Sequence, residues 1–511
     1  MQQESRIRKT LLNARVNLIF YFLTLSLSFF SRKIFLDGLG ADFIGLTGTL
    51  GTLLGFLNLA ESGVSAAIAV VLYAPLLERN QIKINEIVSV LGYLYKIIGI
   101  VIIATGVVLS CFFPLIFSNT ELEFSIIYLT FYSFLTSSLI GYFINYKQVL
   151  LSADQRNYVV AAYSQTASIF KILLQMTLAY YTGNYYLWVI IELVFGILYS
   201  IILNWKIKQV YPWLNADIKL GKGLSNKYPE IMRYTKQLFI HKIGSVVYNQ
   251  VTPFLVYAFA SLQAVAYYGN YTLVTSKLGS LLGNFLGSTN ASVGNLIAEG
   301  DKPKILKVYW ELMSIRVFFV AFSTFAMYHL LPPFISLWLG DEYVMSEALL
   351  VLVLISYALA IIRGVTEEFS IGYGLFSDVW SPFVEAAILI IVAIVGGNLW
   401  GLEGTLLGSI VSTLLIIYIW KPYFLFSKGL KLSVWVYWRE LCKYILSIVV
   451  SFYLSNQLIC YVPTKLSIYT NWVDWILFAT LVSIIFLVVS SCFLLMMTKG
   501  TRSLVLRIIK R

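Results

Sequence analysis

The sequence predicts an all-α polytopic membrane protein with about 14 transmembrane helices. Of its 511 residues, 59% are hydrophobic and only 12% are charged, and the mean hydropathy is +0.80. A soluble protein with this balance would expose far too much apolar surface. Apolar runs of about 20 residues recur along the whole chain, which is the length a helix needs to cross a bilayer. Continuous apolar runs also exclude a transmembrane β-barrel, whose strands are short and alternating.

The apolar runs define the predicted spans, several of which end at a proline. They cover residues 14–31, 43–74, 87–113, 124–150, 158–181, 185–205, 238–260, 266–298, 305–331, 348–373, 382–396, 402–420, 441–462 and 472–497. Basic residues concentrate in alternate connecting segments, whereas the other segments are short and mainly acidic. The positive-inside rule therefore predicts that both termini are cytoplasmic.

A polar, basic stretch separates the first six spans from the next six. We predict an N-terminal six-helix lobe (1–205), a basic cytoplasmic linker (206–236) and a C-terminal six-helix lobe (237–421). Two additional transmembrane helices and a basic cytoplasmic tail follow (422–511). The sequence Phe43-Ile44-Gly45 opens the second span and Tyr267-Tyr268-Gly269 opens the eighth, which suggests that the lobes form a pseudo-twofold repeat around a central cavity.

Charged side chains inside the spans are the main functional signal. Each charge near the bilayer centre costs about 2.5–3.5 kcal/mol on insertion scales, so it needs a partner or a function. Glu61 shares a face of the second span with Asn58 and Ser65, and Asn270, Lys277 and Asn284 repeat every seven residues in the eighth. Spans one, two, seven and eight each present such a polar stripe. This pattern predicts a shared, hydrated, net-cationic cavity; interhelical hydrogen bonding for packing alone is the alternative.

A cationic cavity suits an anionic cargo, because Lys and Arg bind phosphate through charge-assisted hydrogen bonds. The candidate headgroup cations are Lys277, Lys242, Arg363, Arg32 and Lys171. The candidate polar lining is Asn17, Asn58, His241, Asn249, Asn270 and Asn284, and the candidates for ion coupling are Glu61 and Glu192. Lys171 and Lys277 lie near mid-span and are expected to face a polar interior or to pair with an acid. For Lys242, Glu311, Glu367, Glu368 and Glu385, snorkelling to the membrane surface is an equally good interpretation.

The sequence contains no pattern typical of an enzyme. It has two histidines, no Cys/His metal-ligand spacing and no phosphate-cradling Gly-Lys-Ser/Thr motif, so no catalysis, metal or cofactor is expected. The four cysteines indicate no disulfide framework. The net charge of +12 fits contacts with anionic lipid headgroups better than binding to nucleic acid, because the basic residues lie beside apolar segments.

Several short runs resemble a known family of transporters. They are Leu39-Gly40, Phe43-Ile44-Gly45-Leu46, the run from Leu57 to Ala67, the run from Leu150 to Arg156, and Gly401-Leu402-Glu403-Gly404-Thr405. With the hydropathy pattern, they resemble the polysaccharide-transporter (Wzx-type) branch of the multidrug/oligosaccharidyl-lipid/polysaccharide flippase superfamily. In that family an acid near this part of the second span is commonly followed by Gly-Leu, where this chain has Glu61-Ser62-Gly63-Val64.

The resemblance implies a multi-pass protein of the bacterial inner membrane that is not an enzyme. It would flip polyprenyl-pyrophosphate-linked oligosaccharide repeat units by alternating access, for O-antigen (lipopolysaccharide), capsule or exopolysaccharide synthesis. Its partners would be membrane lipid, the polysaccharide polymerase and the chain-length machinery. The alternatives are a drug or cation antiporter of the same fold and, with less support, a membrane polysaccharide polymerase or ligase. A polymerase or ligase would need a long external loop, which the sequence lacks.

Overall fold

The computed structural model describes residues 6–61, 63–286, 290–375, 377–461 and 466–509. Within these ranges, the side chains of residues 6–8, 10, 11, 60, 240–249, 284, 285, 290–292 and 508 are not described. The structure is 88% helical, and no β-strand occurs in the described ranges. The prediction of an all-α protein is therefore confirmed.

Within the described residues, twenty α-helices follow one another along the chain. They are α1 (Arg6–Leu57), α2 (Val64–Glu78), α3 (Gln81–Ser110), α4 (Phe113–Ile116), α5 (Phe124–Phe143), α6 (Gln148–Ala153), α7 (Asn157–Thr182), α8 (Tyr185–Val210), α9 (Ile218–Ser225), α10 (Pro229–Phe259), α11 (Leu262–Leu286), α12 (Asn290–Ala298), α13 (Lys302–Trp338), α14 (Glu347–Ile362), α15 (Gly364–Gly372), α16 (Ser381–Thr413), α17 (Lys421–Phe424), α18 (Trp435–Tyr461), α19 (Trp472–Met497) and α20 (Lys499–Ile509). Short 3₁₀-helices cover Asn58–Glu61, Asn145–Lys147 and Asp341–Tyr343, and π-helices cover Leu414–Trp420 and Leu425–Leu430.

The helices form two compact units. The first comprises Met1–Tyr257 and Ser261–Ala266, and the second comprises Ala258–Ala260 and Tyr267–Arg511. Nine of the described helical stretches are long and apolar enough to cross a membrane. The number of fourteen spans, the four predicted regions and their arrangement around a cavity stay predictions.

The first predicted span extends beyond its expected end. We expected it to end at Ser31 and the second span to begin at Phe43, but the helix continues through the polar residues after Ser31 to Gly40, where a second helical stretch of α1 begins and runs to Leu57. An ion pair from Lys33 to Asp37, one helical turn apart with 3.4 Å between Nζ and Oδ2, supports the helix across this polar stretch. The chain changes direction at Gly40, whose φ of 78° and ψ of 162° are non-helical. Arg32 therefore lies on a helix and not in a loop.

The second predicted span is broken where its polar residues lie. A 3₁₀-helix covers Asn58–Glu61, and α2 begins at Val64 after Gly63, which has a φ of 100°. A Cβ at Gly63 would lie 2.9 Å from the backbone nitrogen of Phe239 in α10, so only glycine fits this turn. The prediction of one continuous helix here is wrong. In membrane proteins, backbone that departs from helix at membrane depth is tolerated only where it is buried or lines a cavity, and it often marks a binding site.

The gap between the eleventh and twelfth predicted spans, which end at 396 and begin at 402, contains a break in the helix at Trp400 and Gly401. Both spans belong to α16, which bends at these two residues and continues into the π-helical stretches. The core of the second unit lies around α13, where the Trp310 ring stacks against Tyr437 and Tyr444 at centroid distances of 6.1 and 5.8 Å. This aromatic packing joins α13 to α18 and fixes the position of the helix that carries Glu311 and Arg316.

Candidate functional site

The Glu61 carboxylate is held by hydroxyl groups at the break between α1 and α2. Ser65 Oγ and Tyr95 OH both donate to Glu61 Oε1, the latter at 2.7 Å, and the two hydroxyls also contact each other. Ser65 follows Glu61 by four residues, whereas Tyr95 comes from the middle of α3 and is buried. The helix break therefore directs an acid toward two hydroxyls from neighbouring helices.

A second polar centre lies beside the first. Asn58 Oδ1 accepts hydrogen bonds from Ser138 Oγ and Tyr142 OH in α5, each at 2.9 Å. The rings of Tyr142 and Tyr95 meet edge to face with centroids 5.3 Å apart, so the two centres adjoin. We call Asn58, Glu61, Ser65, Tyr95, Ser138 and Tyr142 the Glu61 cluster.

The Glu61 cluster contains one carboxylate and several uncharged side chains that offer hydroxyl or amide oxygens. None of the ion pairs formed between described residues includes Glu61. Hydroxyls can donate or accept, so they can serve both a carboxylate and a carboxylic acid. Carboxylate, hydroxyl and amide oxygens are also the ligands that hard cations prefer. The described residues contain no group of three or more His, Cys, Asp or Glu side chains that could hold a metal ion.

Lys171 and Glu192, predicted for different roles, pair with each other. Lys171 Nζ lies 2.6 Å from Glu192 Oε1, between α7 and α8. Gln175 Nε2 donates to Glu192 Oε2 and to the Trp188 carbonyl oxygen, both at 3.1 Å. The expectation that Lys171 faces a polar interior or pairs with an acid is confirmed. The proposed headgroup role of Lys171 and coupling role of Glu192 stay predictions.

Acids in the second unit lie against arginines. Arg363 Nε donates to Glu367 Oε1 at 2.7 Å, and its Nη1 lies 3.9 Å from Glu385 Oε1. Arg316 pairs with Glu368, and the side chains of both are less than a tenth exposed. Arg316 Nη1 also donates to the Ile361 carbonyl oxygen at 3.2 Å.

Glu311 is buried as well, with 2% of its surface exposed. It accepts hydrogen bonds from Ser503 Oγ at 2.6 Å and from Arg507 Nη1 at 2.9 Å. The snorkelling interpretation is therefore wrong for Glu311 and Glu368, because both carboxylates point into packed helices and are neutralised there.

The remaining predicted site residues are spread over both units. Lys277 is half-buried and Asn270 fully buried on α11, Asn17 is exposed on α1, and Arg32 Nη2 donates to the Ala266 carbonyl oxygen at 2.7 Å. The side chains of Lys242, His241, Asn249 and Asn284 lie outside the described residues. Among the described candidates, the structure brings together Asn58 with Glu61 and Lys171 with Glu192.

Sequence reasoning missed Tyr95, Ser138 and Tyr142. Tyrosine and serine carry little hydropathy signal in an apolar span, and 35 tyrosines are present. The one available signal was spacing, because Ser138 and Tyr142 are four residues apart and so share a helix face.

Asp154, within the family-like run that ends at Arg156, forms a second polar cluster. Its carboxylate lies 2.7 Å from Lys9 Nζ and 2.9 Å from Arg156 Nε, and it accepts from Tyr211 OH at 2.8 Å. Burial, followed by the charge of Asp154, raises the pKa of Tyr211, so the phenol remains a donor. These contacts connect the start of α1 to the ends of α6 and α8. They give the run from Leu150 to Arg156 a structural role where these helices meet.

Comparison with solved structures identifies the fold. No family model and no curated protein matches the chain. Lipid II flippase MurJ, in an inward closed conformation, superposes with a TM-score of 0.63 at 18% identity, over 93% of this chain and 98% of that chain. An inward-facing multidrug resistance MATE family transporter of the MOP superfamily gives a TM-score of 0.61 at 14% identity, over 82% of this chain and 99% of that chain. The chain has the fold of these transporters.

At these identities the likeness establishes the fold alone. Together with the nine apolar helices, that fold makes the chain a multi-pass membrane protein.

Proposed function

We propose that the chain is a flippase for polyprenyl-pyrophosphate-linked oligosaccharide repeat units in the bacterial inner membrane. It would work by alternating access in O-antigen, capsule or exopolysaccharide synthesis, with both termini cytoplasmic and the polymerase and chain-length machinery as partners. The observation that carries this proposal is the fold shared with a lipid flippase over nearly the whole of both chains. The likeness to the multidrug transporter covers a smaller share of this chain.

The charge of the chain suits an anionic headgroup. Lys277 is a half-buried cation in the interior of α11, and a lysine can bind a pyrophosphate through charge-assisted hydrogen bonds. Moving a negative group outward is favoured by an inside-negative potential, by about 2.3 kcal/mol per charge per 100 mV. We assign Lys277 to the headgroup and the Glu61 cluster to ion coupling. Lys171 and Glu192, which pair with each other, remain candidates for the headgroup and the coupling role.

The test replaces Lys277 and follows surface polysaccharide together with the amount of protein in the membrane. Lys277→Ala should abolish surface polysaccharide at normal protein level, and Lys277→Arg should restore part of it because the charge is kept. Lys302→Ala, which removes an exposed lysine at the start of α13, is the matched control and should have no effect. Normal polysaccharide in the Lys277→Ala strain would contradict the headgroup role.

A drug or cation antiporter is the rival function, and the likeness to the multidrug transporter is the observation in its favour. Purified protein in vesicles separates the two. Flipping of a lipid-linked oligosaccharide, measured by its access to an external lectin, supports the proposal. Ion-driven uptake of a cationic dye without such flipping would support the rival.

A further inference from the structure

The last described helix, α20, has two distinct faces. Gly500, Ser503 and Arg507 are three and four residues apart and so share one face. A Cβ at Gly500 would lie 2.3 Å from the Trp310 carbonyl oxygen, which shows how closely this face approaches α13. Ser503 and Arg507 donate hydrogen bonds to the buried Glu311, which also lies on α13. These contacts fix the orientation of α20 on the second unit.

A second face of α20, about 100° around the helix from the first, is exposed and combines basic and apolar side chains. Lys499, Arg502, Leu506 and Ile509 follow the same three-and-four spacing, and all are exposed. Leu506 is 57% exposed and Ile509 is 74% exposed. From Lys499 to the C-terminus the sequence has five basic residues and no acid. An exposed apolar face with basic residues is the pattern of a helix that lies in a membrane surface.

The position of α20 in the chain fits a membrane surface. It begins at Lys499, immediately after the apolar helix α19 ends at Met497 and Thr498 turns the chain. Arg502 Nε donates to the Leu495 carbonyl oxygen at 2.9 Å, and its Nη2 donates to that of Met496 at 2.5 Å, which satisfies the free C-terminal carbonyls of α19. Since α19 is a candidate membrane span, α20 starts at the bilayer boundary.

We propose that α20 is an interfacial helix that binds anionic membrane lipids. Leu506 and Ile509 enter the boundary between headgroups and acyl chains, while Lys499 and Arg502 contact lipid phosphates. Charge complementarity favours this partner, because the negative surface of a membrane that contains anionic lipids attracts juxtamembrane basic residues. The buried contact with Glu311 holds the helix in the orientation that presents this face. The proposal does not depend on which substrate the protein transports.

The first test measures lipid selectivity of the full-length protein by native mass spectrometry with phosphatidylglycerol and phosphatidylcholine. Lys499→Gln/Arg502→Gln should weaken binding of phosphatidylglycerol on the order of tenfold and leave phosphatidylcholine unchanged. Lys219→Gln/Lys222→Gln, which removes the same charge from the exposed face of α9, is the matched control and should retain the selectivity. Equal loss in both variants, or in neither, would overturn the assignment to α20.

The second test places the helix in the bilayer and does not require removal of Arg502. With the four native cysteines replaced by serine, a bimane reporter is attached at Leu506→Cys or, as a control, at Glu299→Cys in the exposed turn after α12. Vesicles contain phosphatidylglycerol and a lipid with a nitroxide on its acyl chain. Stronger quenching at position 506 than at position 299 supports insertion. Equal quenching at the two positions would refute it.

Discussion

The two units treat acids within their membrane helices differently. In the second unit, Glu311, Glu367 and Glu368 each lie against an arginine. In the first unit Glu192 has Lys171, but Glu61 is held by the hydroxyls of Ser65 and Tyr95. An acid against an arginine has its charge offset by that partner, and removing one member of such a buried pair leaves the other uncompensated. Hydroxyls can donate to a carboxylate or accept from a carboxylic acid, so Glu61 is the acid for which we propose a coupling role, and the predictions that follow test this difference.

The largest expected effect comes from the most buried pair. Glu368→Ala leaves Arg316, with 8% of its side chain exposed, without its described carboxylate partner. Breaking a buried pair from one side should lower the free energy of unfolding by about 3–5 kcal/mol. Thermal unfolding of the purified protein in detergent measures the loss.

The control for this pair replaces both charges by apolar groups of similar volume. Arg316→Met/Glu368→Leu should recover most of the lost stability, because replacing a whole buried pair is often neutral. If the double variant is as unstable as Glu368→Ala, the loss of unfolding free energy arises from packing at Glu368 and not from the unpaired charge. The contrast between the paired acids of the second unit and Glu61 in the first would then be weaker.

The Lys171–Glu192 pair should show an intermediate effect. Its side chains are 21% and 20% exposed, so water screens part of the interaction. Glu192→Gln should lower the free energy of unfolding by about 1–3 kcal/mol, measured in the same assay. Lys171→Met/Glu192→Met should be closer to the parent than either single change. A Glu192→Gln protein of normal stability whose transport has lost its pH dependence would instead assign ion coupling to Glu192.

Much of the fold follows from hydropathy, but its breaks do not. Long apolar runs predicted an all-α membrane protein because a helix satisfies its own backbone in lipid and a β-barrel would need short alternating strands instead. The same hydropathy could not show that α1 continues past Ser31, since the helix there carries polar side chains such as Lys33 and Asp37. Nor could it show the break at Asn58–Glu61, which depends on the close approach of α10 to Gly63.

The site was predictable only one residue at a time. Glu61 and Lys171 stood out because a charge in an apolar span is costly. Their surroundings depend on which helices are neighbours in space, and a single sequence carries little of that information. Tyr95 reaches Glu61 from 34 residues away, and Arg507 reaches Glu311 from 196 residues away. The pairing of these side chains was therefore visible only in the structure. There, Glu311 and Glu368, for which snorkelling was an equally good interpretation, are buried and lie against arginines.

Glu61 should show the smallest effect on stability and a clear effect on transport. In Glu61→Gln the amide oxygen can still accept from Ser65 and Tyr95, so the free energy of unfolding should change by about 1 kcal/mol or less. The amide cannot exchange a proton at physiological pH, so transport in vesicles should lose its dependence on pH. Tyr95→Phe, which keeps the acid and removes one donor, should shift that dependence without abolishing it. A Glu61→Gln protein that transports with the parent's pH profile would show that Glu61 only stabilises the helix break, and the two units would then use their acids in the same way.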